Sequence, residues 1–271
     1  MRFLFIGLFA SFWCNAQMSV TTIKLPSEIE ETSGLEYIGE NLITINDSGD
    51  KARLYVFTPK GDLIKNIRFY DLKNKDWEDL AADESHFYIA DIGNNYATRE
   101  NLKIYILSKD LIPQGTIKIA YEAQKTFSKE ARNEYDAEAL TVVGDELVLF
   151  SKNRKTLQSQ IYFFPKTEGS YRLSPSAVID TNALITAADY HAEEDLMVLT
   201  GYDFKRSQYF YTLNNFKQNG LENIDLKRYS IPVKPAQIEA VKIINKNEFW
   251  ITSESESSGN PSLFKLNLEL D

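Results

Sequence analysis

Three glutamates stand at the same position of a short phrase that returns along the chain. Glu78, Glu138 and Glu239 each lie two residues before the aligned residue of a repeated apolar segment. The two remaining copies carry Ser33 and Ala187 at this position. Carboxylates that converge on one point repel each other unless one is protonated or a cation binds between them. Ca2+ suits such a group because it accepts oxygen ligands in flexible geometry, whereas the alternative is that the glutamates accept backbone N–H bonds or pair with Lys and Arg.

Polar loops that follow the second apolar segment of each repeat supply further candidate ligands. The first loop contains Asn46 and Asp47, and the second contains Asp91 and Asn94. Asx and Gly residues favour tight turns, so turn formation is one explanation of both loops. The other explanation is a site in which Asp91 joins the glutamates as a metal ligand and the remaining three residues bind a ligand.

Cations occupy the equivalent loops of the third and fourth repeats. Lys152 and Arg154 lie in the third loop, and Lys205 lies in the fourth. A mouth with carboxylates on one side and these cations on the other would suit a phosphate or carboxylate that is bridged to a metal. Ordinary solvated loops are also charged, and that explanation stays open.

The candidates for proton transfer are few, because the chain has only two histidines. His86 lies in a polar turn and is expected to be solvated. His191 follows the start of the fourth repeat and is a candidate general base, with Glu138 as the second candidate. The sequence contains no nucleophile elbow, zinc motif, P-loop or dinucleotide fingerprint, which excludes the enzyme classes that those motifs define.

The elements that must position these residues repeat five times. Leu35, Leu80, Leu140, Asp189 and Val241 are equivalent, and the steps between them are 45, 60, 49 and 52 residues. Each repeat contains strand-like segments, and a period of about 40–50 residues made of strands indicates a β-propeller blade. The sequence therefore predicts an all-β propeller of five four-stranded blades, with six as the alternative if the long second repeat hides another blade.

The aromatic third strands and the chain ends complete this architecture. Third strands such as 160–164 carry regular aromatic residues, which we interpret as packing between blades. The fifth repeat lacks a fourth strand, and the segment 20–25 is predicted to supply it and so to close the ring.

The N-terminus has the pattern of a signal peptide. Arg2 precedes an apolar run from Phe3 to Trp13, which is too short to span a bilayer, and Ala16 offers a cleavage point. We therefore expect residues 1–16 to be removed, residues 17–271 to form a single domain, and the protein to be periplasmic or extracellular. Cys14 is the only cysteine and would be lost with the leader, which leaves no disulfide or thiol.

The charge balance limits the partners. Removal of Arg2 leaves 29 Lys and Arg against 39 Asp and Glu, a net charge of −10. Nucleic acid is not expected as a partner, because its binding requires a basic surface. No second apolar segment of membrane-spanning length is present.

Several of these motifs resemble those of exported bacterial propellers grouped with the SdiA-regulated and esterase-like phytase families. The resemblance runs over most of the chain and is carried by the segments 31–35, 46–49, 76–79, 91–94 and 136–140. It implies calcium near the channel, and either a phosphoester-type hydrolase or a binding role. The residues that this resemblance points to as metal ligands are Glu78, Asp91, Glu138 and Glu239. The ring of glutamates is incomplete, because the first and fourth repeats have Ser33 and Ala187 instead.

Three functions follow from these observations. The first is a binding propeller whose channel mouth holds Ca2+ and a small anionic or sugar-like ligand. The second is a metal-dependent hydrolase of phosphate or carboxylic esters, in which Glu138 or His191 accepts a proton. The third is a scaffold with an inert channel that binds an envelope protein or a glycan.

Overall fold

The computed structural model describes residues 17–234, 236–255 and 259–269. These residues form five sheets of four strands each, one of them extended by a fifth strand, and together they make a five-bladed β-propeller. The prediction of an all-β fold with five blades is therefore confirmed, and the six-bladed alternative is wrong. The predicted leader, residues 1–16, lies outside the described residues. No helix within the described ranges is long and apolar enough to cross a membrane.

The strands follow one another from blade to blade with few exceptions. The chain begins with β1 (Gln17–Lys24). Blade 1 consists of β2 (Thr32–Ile38), β3 (Asn41–Asn46), β4 (Arg53–Phe57) and β5 (Leu63–Arg68). Blade 2 consists of β6 (Trp77–Ala82), β7 (His86–Asp91), β8 (Lys103–Ser108) and β9 (Pro113–Tyr121).

The third blade is interrupted by a strand that joins its neighbour. It contains β10 (Ala137–Val143), β11 (Glu146–Ser151) and β12 (Ser159–Pro165), and then β13 (Gly169–Leu173) crosses to blade 2, where it pairs with β9 in parallel. The chain returns to blade 3 with β14 (Ala177–Ile179). The alternating residues of the segment 171–179 favour a single fourth strand. The structure instead divides this segment into β13 and β14, which pair with β9 of blade 2 and with β12 of blade 3.

The last two blades restore the regular order. Blade 4 contains β15 (Leu184–His191), β16 (Leu196–Tyr202), β17 (Gln208–Asn214) and β18 (Asp225–Ser230), and a four-residue helix α1 (Phe216–Asn219) follows β17. Blade 5 contains β19 (Ile238–Asn245), β20 (Glu248–Ser253) and β21 (Ser262–Glu269).

The N-terminal strand closes the ring, as the sequence predicts. β1 pairs antiparallel with β21 and is the fourth strand of blade 5. The register places Val20 opposite Leu266 and Ile23 opposite Leu263. First and last segments of the described chain therefore share one sheet, and the open edge of the last blade is covered.

The hydrophobic core lies between the blades. Five clusters of buried residues form, and each of them joins two neighbouring blades. Aromatic residues fill them, for example Phe210 of blade 4 against Phe249 of blade 5, whose ring centroids are 4.6 Å apart. The interpretation of the third-strand aromatics as packing residues agrees with this burial, since Tyr105, Tyr162 and Phe264 all lie in these clusters.

Each innermost strand carries a β-bulge near its start. The register shift leaves one residue of each strand out of the ladder, and these residues are Gly34, Glu78, Glu138, Thr186 and Glu239. A bulge redirects a side chain and raises the local twist. The three glutamates are therefore structurally equivalent as predicted, but their counterparts in the first and fourth repeats are Gly34 and Thr186 instead of Ser33 and Ala187.

Buried charged side chains connect the inner strands further along the channel axis, through hydrogen bonds and ion pairs. The carboxylate of Asp79 accepts hydrogen bonds from the backbone N–H of Leu80 at 2.8 Å and, across blades, from that of Leu140 at 2.7 Å. Beyond it the Nζ of Lys242 lies 2.7 Å from Glu36 and 2.9 Å from Asp189. These groups link the inner strands of all five blades.

Candidate functional site

A small cavity opens where the inner strands begin. Its volume is about 160 Å3, and every lining residue has a polar side chain: Ser33, Asp47, Glu78, Asn95, Glu138, Lys152, Arg154, Tyr202, Gln237, Glu239 and Glu254. We call this cavity the channel mouth. A hydrated ion or a small polar group fits a lining of this kind, whereas an apolar ligand does not.

Two structural positions supply most of this lining. The first is the bulge of the inner strands, which contributes Glu78, Glu138 and Glu239. The second is the end of the second strand of each blade, which contributes Asp47, Lys152, Tyr202 and Glu254. The propeller repeats both positions around one axis, so residues that are far apart in the sequence meet there.

The most compact acidic group lies on the side of blades 1 and 2. One carboxylate oxygen from each of Asp47, Asp76 and Glu78 falls within 4.8 Å of the other two. Gly93 permits this arrangement, because a Cβ at position 93 would lie 2.6 Å from Cγ of Asp76 and would overlap Oε1 of Glu78. Three carboxylate oxygens at this spacing could coordinate a hard cation such as Ca2+.

Two of the mouth glutamates have no hydrogen-bond donor. The side chain of Glu78 is 4% exposed and that of Glu239 is 5% exposed, and neither carboxylate accepts a hydrogen bond from any residue that the structure describes. Buried carboxylates normally have a partner. Because both side chains line the cavity, we expect an ion or a molecule bound in the mouth to be their partner.

The two cations of the mouth are already paired. The ammonium of Lys152 contacts the carboxylate of Glu138 and lies 5.0 Å from the ring centroid of Tyr202. The guanidinium of Arg154 lies 2.8 Å from Asp136 and 3.6 Å from Glu138. Neither cation is directed at the group formed by Asp47, Asp76 and Glu78.

Burial and mutual repulsion raise the pKa values of the mouth carboxylates. Burial raises the pKa of Glu138 to about 7, against the opposing effect of Lys152, and burial together with Glu31 and Asp47 raises the pKa of Glu254 to about 8. The pKa of Glu78 is raised well above its usual value by burial and by Asp47 and Glu138. The mouth therefore favours protonation of these carboxyl groups unless a cation is bound beside them.

Two residues that the sequence suggested as ligands instead support a loop of blade 2. Asp91 lies 2.7 Å from the guanidinium of Arg99, and its Oδ1 also accepts the N–H of Asp76 at 3.1 Å. Asn94 is buried; its N–H donates to Asp136, and its Oδ1 accepts the N–H of Arg99. Both residues hold the loop that carries Gly93 and stand behind the mouth without lining it.

The remaining predicted residues also lie outside the mouth. The side-chain amide of Asn46 donates to the carbonyl of Glu28 at 3.0 Å in a neighbouring pocket. Lys205 is exposed in the loop after β16. His191 ends β15, five residues beyond the bulge at Thr186, so it lies roughly 16 Å along the strand from the level of the mouth.

Five residues that line the mouth were not predicted as site residues: Ser33, Asn95, Tyr202, Gln237 and Glu254. Asp76, beside Glu78, was also missed, although Asp136 stands at the equivalent place two residues before Glu138. Tyr202 and Glu254 could have been found, because they lie at the end of a second strand, as Asp47 and Lys152 do: Tyr202 is the last residue of β16, and Glu254 directly follows β20. A rule based on that position would have identified both.

Comparisons with known proteins show the fold alone. Neither family models nor curated proteins show a match to the sequence. A chain in the crystal structure of the mitotic checkpoint complex is similar over 99% of this chain and 100% of its own length, with 9% identity and a TM-score of 0.50. A chain of the hydrazine synthase of Kuenenia stuttgartiensis is similar over 81% of this chain, with 13% identity and a TM-score of 0.44, and the match covers 60% of that chain. At 9% identity the similarity to the chain of the checkpoint complex extends to the fold and to no particular ligand.

Proposed function

We propose that this propeller is a binding protein whose channel mouth holds a divalent cation, with Ca2+ as the first candidate. Asp47, Asp76 and Glu78 would coordinate the ion. A small anionic or sugar-like ligand would then reach the ion through its own oxygen atoms. A propeller is a general scaffold for binding at the end of its channel, which agrees with this role.

The observation that carries the proposal is the unpartnered carboxylate of Glu78. It is 4% exposed, accepts no hydrogen bond from the described residues, and lies within ligand spacing of Asp47 and Asp76. Carboxylates held this close to one another, with no hydrogen-bond donor for Glu78 among the described residues, favour a cation between them. A bound cation would use all three carboxylates.

The charge balance of the mouth supports the same ion. Among the lining residues, five carboxylates face only Lys152 and Arg154, and Asp76 adds a sixth carboxylate beside Glu78 together with Arg99, whose guanidinium lies 3.9 Å from it. Lys152 and Arg154 are held by Glu138 and Asp136. A free anion would be repelled here, so an anionic ligand requires the metal as its bridge.

The proposed place of action is the periplasm or the extracellular space, where a leader at residues 1–16 would direct the chain. Calcium is abundant outside the cytoplasm, so a site of moderate affinity would be filled there. An envelope protein or a glycan at the rim is the alternative partner if the mouth proves inert.

Thermal unfolding of the purified protein in EDTA and then in millimolar CaCl2 tests the proposal. A site filled to about 100 times its dissociation constant stabilises the fold by roughly 2.7 kcal/mol, which corresponds to a rise of about 5–10 °C for a domain of this size. The D76N variant should lose the rise, whereas D225N, which alters an exposed carboxylate of β18, should keep it. An equal rise in D76N, or no rise in the unaltered protein, would move the function to a scaffold that binds at its rim. Turnover of phosphate or carboxylic esters that depends on the ion would instead support the hydrolase.

A further inference from the structure

The opposite side of the mouth has a different composition from the proposed ion site. Glu239 from the bulge of β19 and Glu254, just after β20, face Lys152 and Glu138 across the cavity. Glu254 accepts a hydrogen bond from the side-chain amide of Gln237 at 2.6 Å. Glu239 accepts none from the described residues although it is 5% exposed.

The spacing on this side does not favour a second metal ion. Within the described ranges, only Asp47, Asp76 and Glu78 bring three ligand atoms of acidic or histidine side chains within 4.8 Å. Glu239 and Glu254 are two carboxylates without a third member at that spacing. A ligand group that donates hydrogen bonds and needs only two acceptors suits Glu239 and Glu254 better than a metal ion does.

Lys152 is an example, from the chain itself, of a group that is buried on this side of the mouth. The ammonium of Lys152 is almost completely buried here, in contact with Glu138 and above the face of Tyr202 at 5.0 Å. A desolvated ammonium between a carboxylate and an aromatic face is a stable arrangement. Lys152 and Arg154 both contact Glu138, and Arg154 is shared with Asp136, so Glu239 and Glu254 have no ion pair with either cation among the described residues.

We propose that Glu239 and Glu254 bind the primary ammonium group of a small polar ligand in the channel mouth. Glu239 supplies the free carboxylate, and Glu254 supplies the oxygen that Gln237 leaves available. A cavity of about 160 Å3 admits an aminoalkyl group and excludes a large cation. Burial, together with the acidic neighbours Glu31 and Asp47, raises the pKa of Glu254 to about 8, against the opposing effect of Lys152.

This inference goes beyond ion binding and uses other residues of the mouth. If both sites are occupied, the ligand is a zwitterion or an amino sugar, whose oxygen atoms contact the ion and whose ammonium contacts Glu239. The class of ligand is then small and amine-bearing, which ion binding alone does not specify.

Ethylammonium chloride is the probe, and tetramethylammonium chloride at equal ionic strength is its matched control without N–H donors. In EDTA, we expect ethylammonium to raise the unfolding temperature above the tetramethylammonium reference. The dissociation constant should weaken roughly tenfold or more in E239Q, because a hydrogen bond to a charged group is lost. D225N, which alters an exposed carboxylate of β18, should bind ethylammonium as the unaltered protein does.

The variants separate this inference from the proposed function. E254Q repeats the test if E239Q does not fold, and the calcium response is measured on every variant. Equal effects of the two salts, or ethylammonium binding that survives both E239Q and E254Q, would overturn the inference and leave the ion site intact. Loss of calcium binding in E239Q, with no ethylammonium effect, would show that this side belongs to the metal and would overturn it as well.

Discussion

Gly93 lies against Glu78 so closely that no larger residue fits. A Cβ at this position would overlap Oε1 of Glu78 and would stand 2.6 Å from Cγ of Asp76. The loop that bears Gly93 is itself fixed, because Arg99 donates to the carbonyl of Gly93 at 2.7 Å and pairs with Asp91. The backbone of blade 2 thus sets the position of two carboxylates of the proposed ion site.

Substitution of Gly93 by alanine should therefore displace Glu78 and Asp76 and abolish the calcium response. The added methyl group leaves the backbone allowed, since Gly93 does not have a positive φ. Thermal unfolding with and without CaCl2 measures the effect. Gly259→Ala is the matched control, because a Cβ there meets nothing within 4 Å. A calcium response in G93A equal to that of G259A would contradict the proposed geometry.

The substitution Glu78→Gln should have opposite effects with and without the ion. Without metal it replaces an unpartnered buried carboxylate by a neutral amide, so the free energy of unfolding should rise by about 1 kcal/mol or more. With CaCl2 the gain that the unaltered protein shows should disappear. Urea unfolding in EDTA and in calcium measures both. A variant that is less stable in EDTA would indicate that Glu78 has a structural partner.

The stability of the metal-free protein should fall as the pH rises from about 5 to 8. The folded-state pKa values of Asp47, Glu138 and Glu254 are raised to about 6, 7 and 8. A carboxyl group with a raised folded-state pKa binds more protons in the folded state, so its stabilisation is complete below its unfolded pKa and is lost as the pH passes the folded value. Urea unfolding in EDTA should show a loss of at least about 1 kcal/mol across this window.

Glu254→Gln tests the assignment of this fall. Because Glu254 has the highest pKa of the three groups, the variant should flatten the curve between pH 7 and 8 and leave the lower part unchanged. A stability that is constant or rises between pH 5 and 8 would show that the mouth carboxylates already have counter-charges.

Lys242 should be essential for the stability of the ring and irrelevant to the ion. Its replacement by methionine leaves Glu36 and Asp189 buried without their shared cation, which should cost about 3 kcal/mol. Lys227→Met is the control, since its ammonium pairs with Asp225 at 3.6 Å on the surface and should contribute less than about 1 kcal/mol. Urea unfolding measures both, and the calcium response should persist in each. Equal stability of the two variants would contradict the role of the buried triad.

The sequence was sufficient for the blades because the signal repeats. Five apolar second strands with five aromatic third strands predict five sheets, and the unpaired last blade predicts its closure by β1. The path of β13 was not predictable, since its short alternating segment fits the edge of blade 2 and of blade 3 equally well. The positions of the bulges were also not predictable from the aligned repeats. A bulge inserts one residue into the strand and shifts the alignment by one residue, which is why Ala187 was aligned in place of Thr186.

The candidate site was predictable only where it follows the repeat. Glu78, Glu138 and Glu239 share the bulge, so their equivalence was visible. The role of Asp91 was not visible, because the sequence does not show that Arg99, in the loop between β7 and β8, turns back to pair with its carboxylate. Side chains placed by a unique loop contact require the structure.

The position of a bound ion tests the central claim most directly. Terbium replaces calcium at sites of oxygen ligands and scatters anomalously, so crystals of the protein soaked in terbium chloride would reveal it. We predict an anomalous peak between the carboxylates of Asp47, Asp76 and Glu78, and no peak there in crystals of D76N. An empty mouth with peaks only at exposed carboxylates would contradict the account.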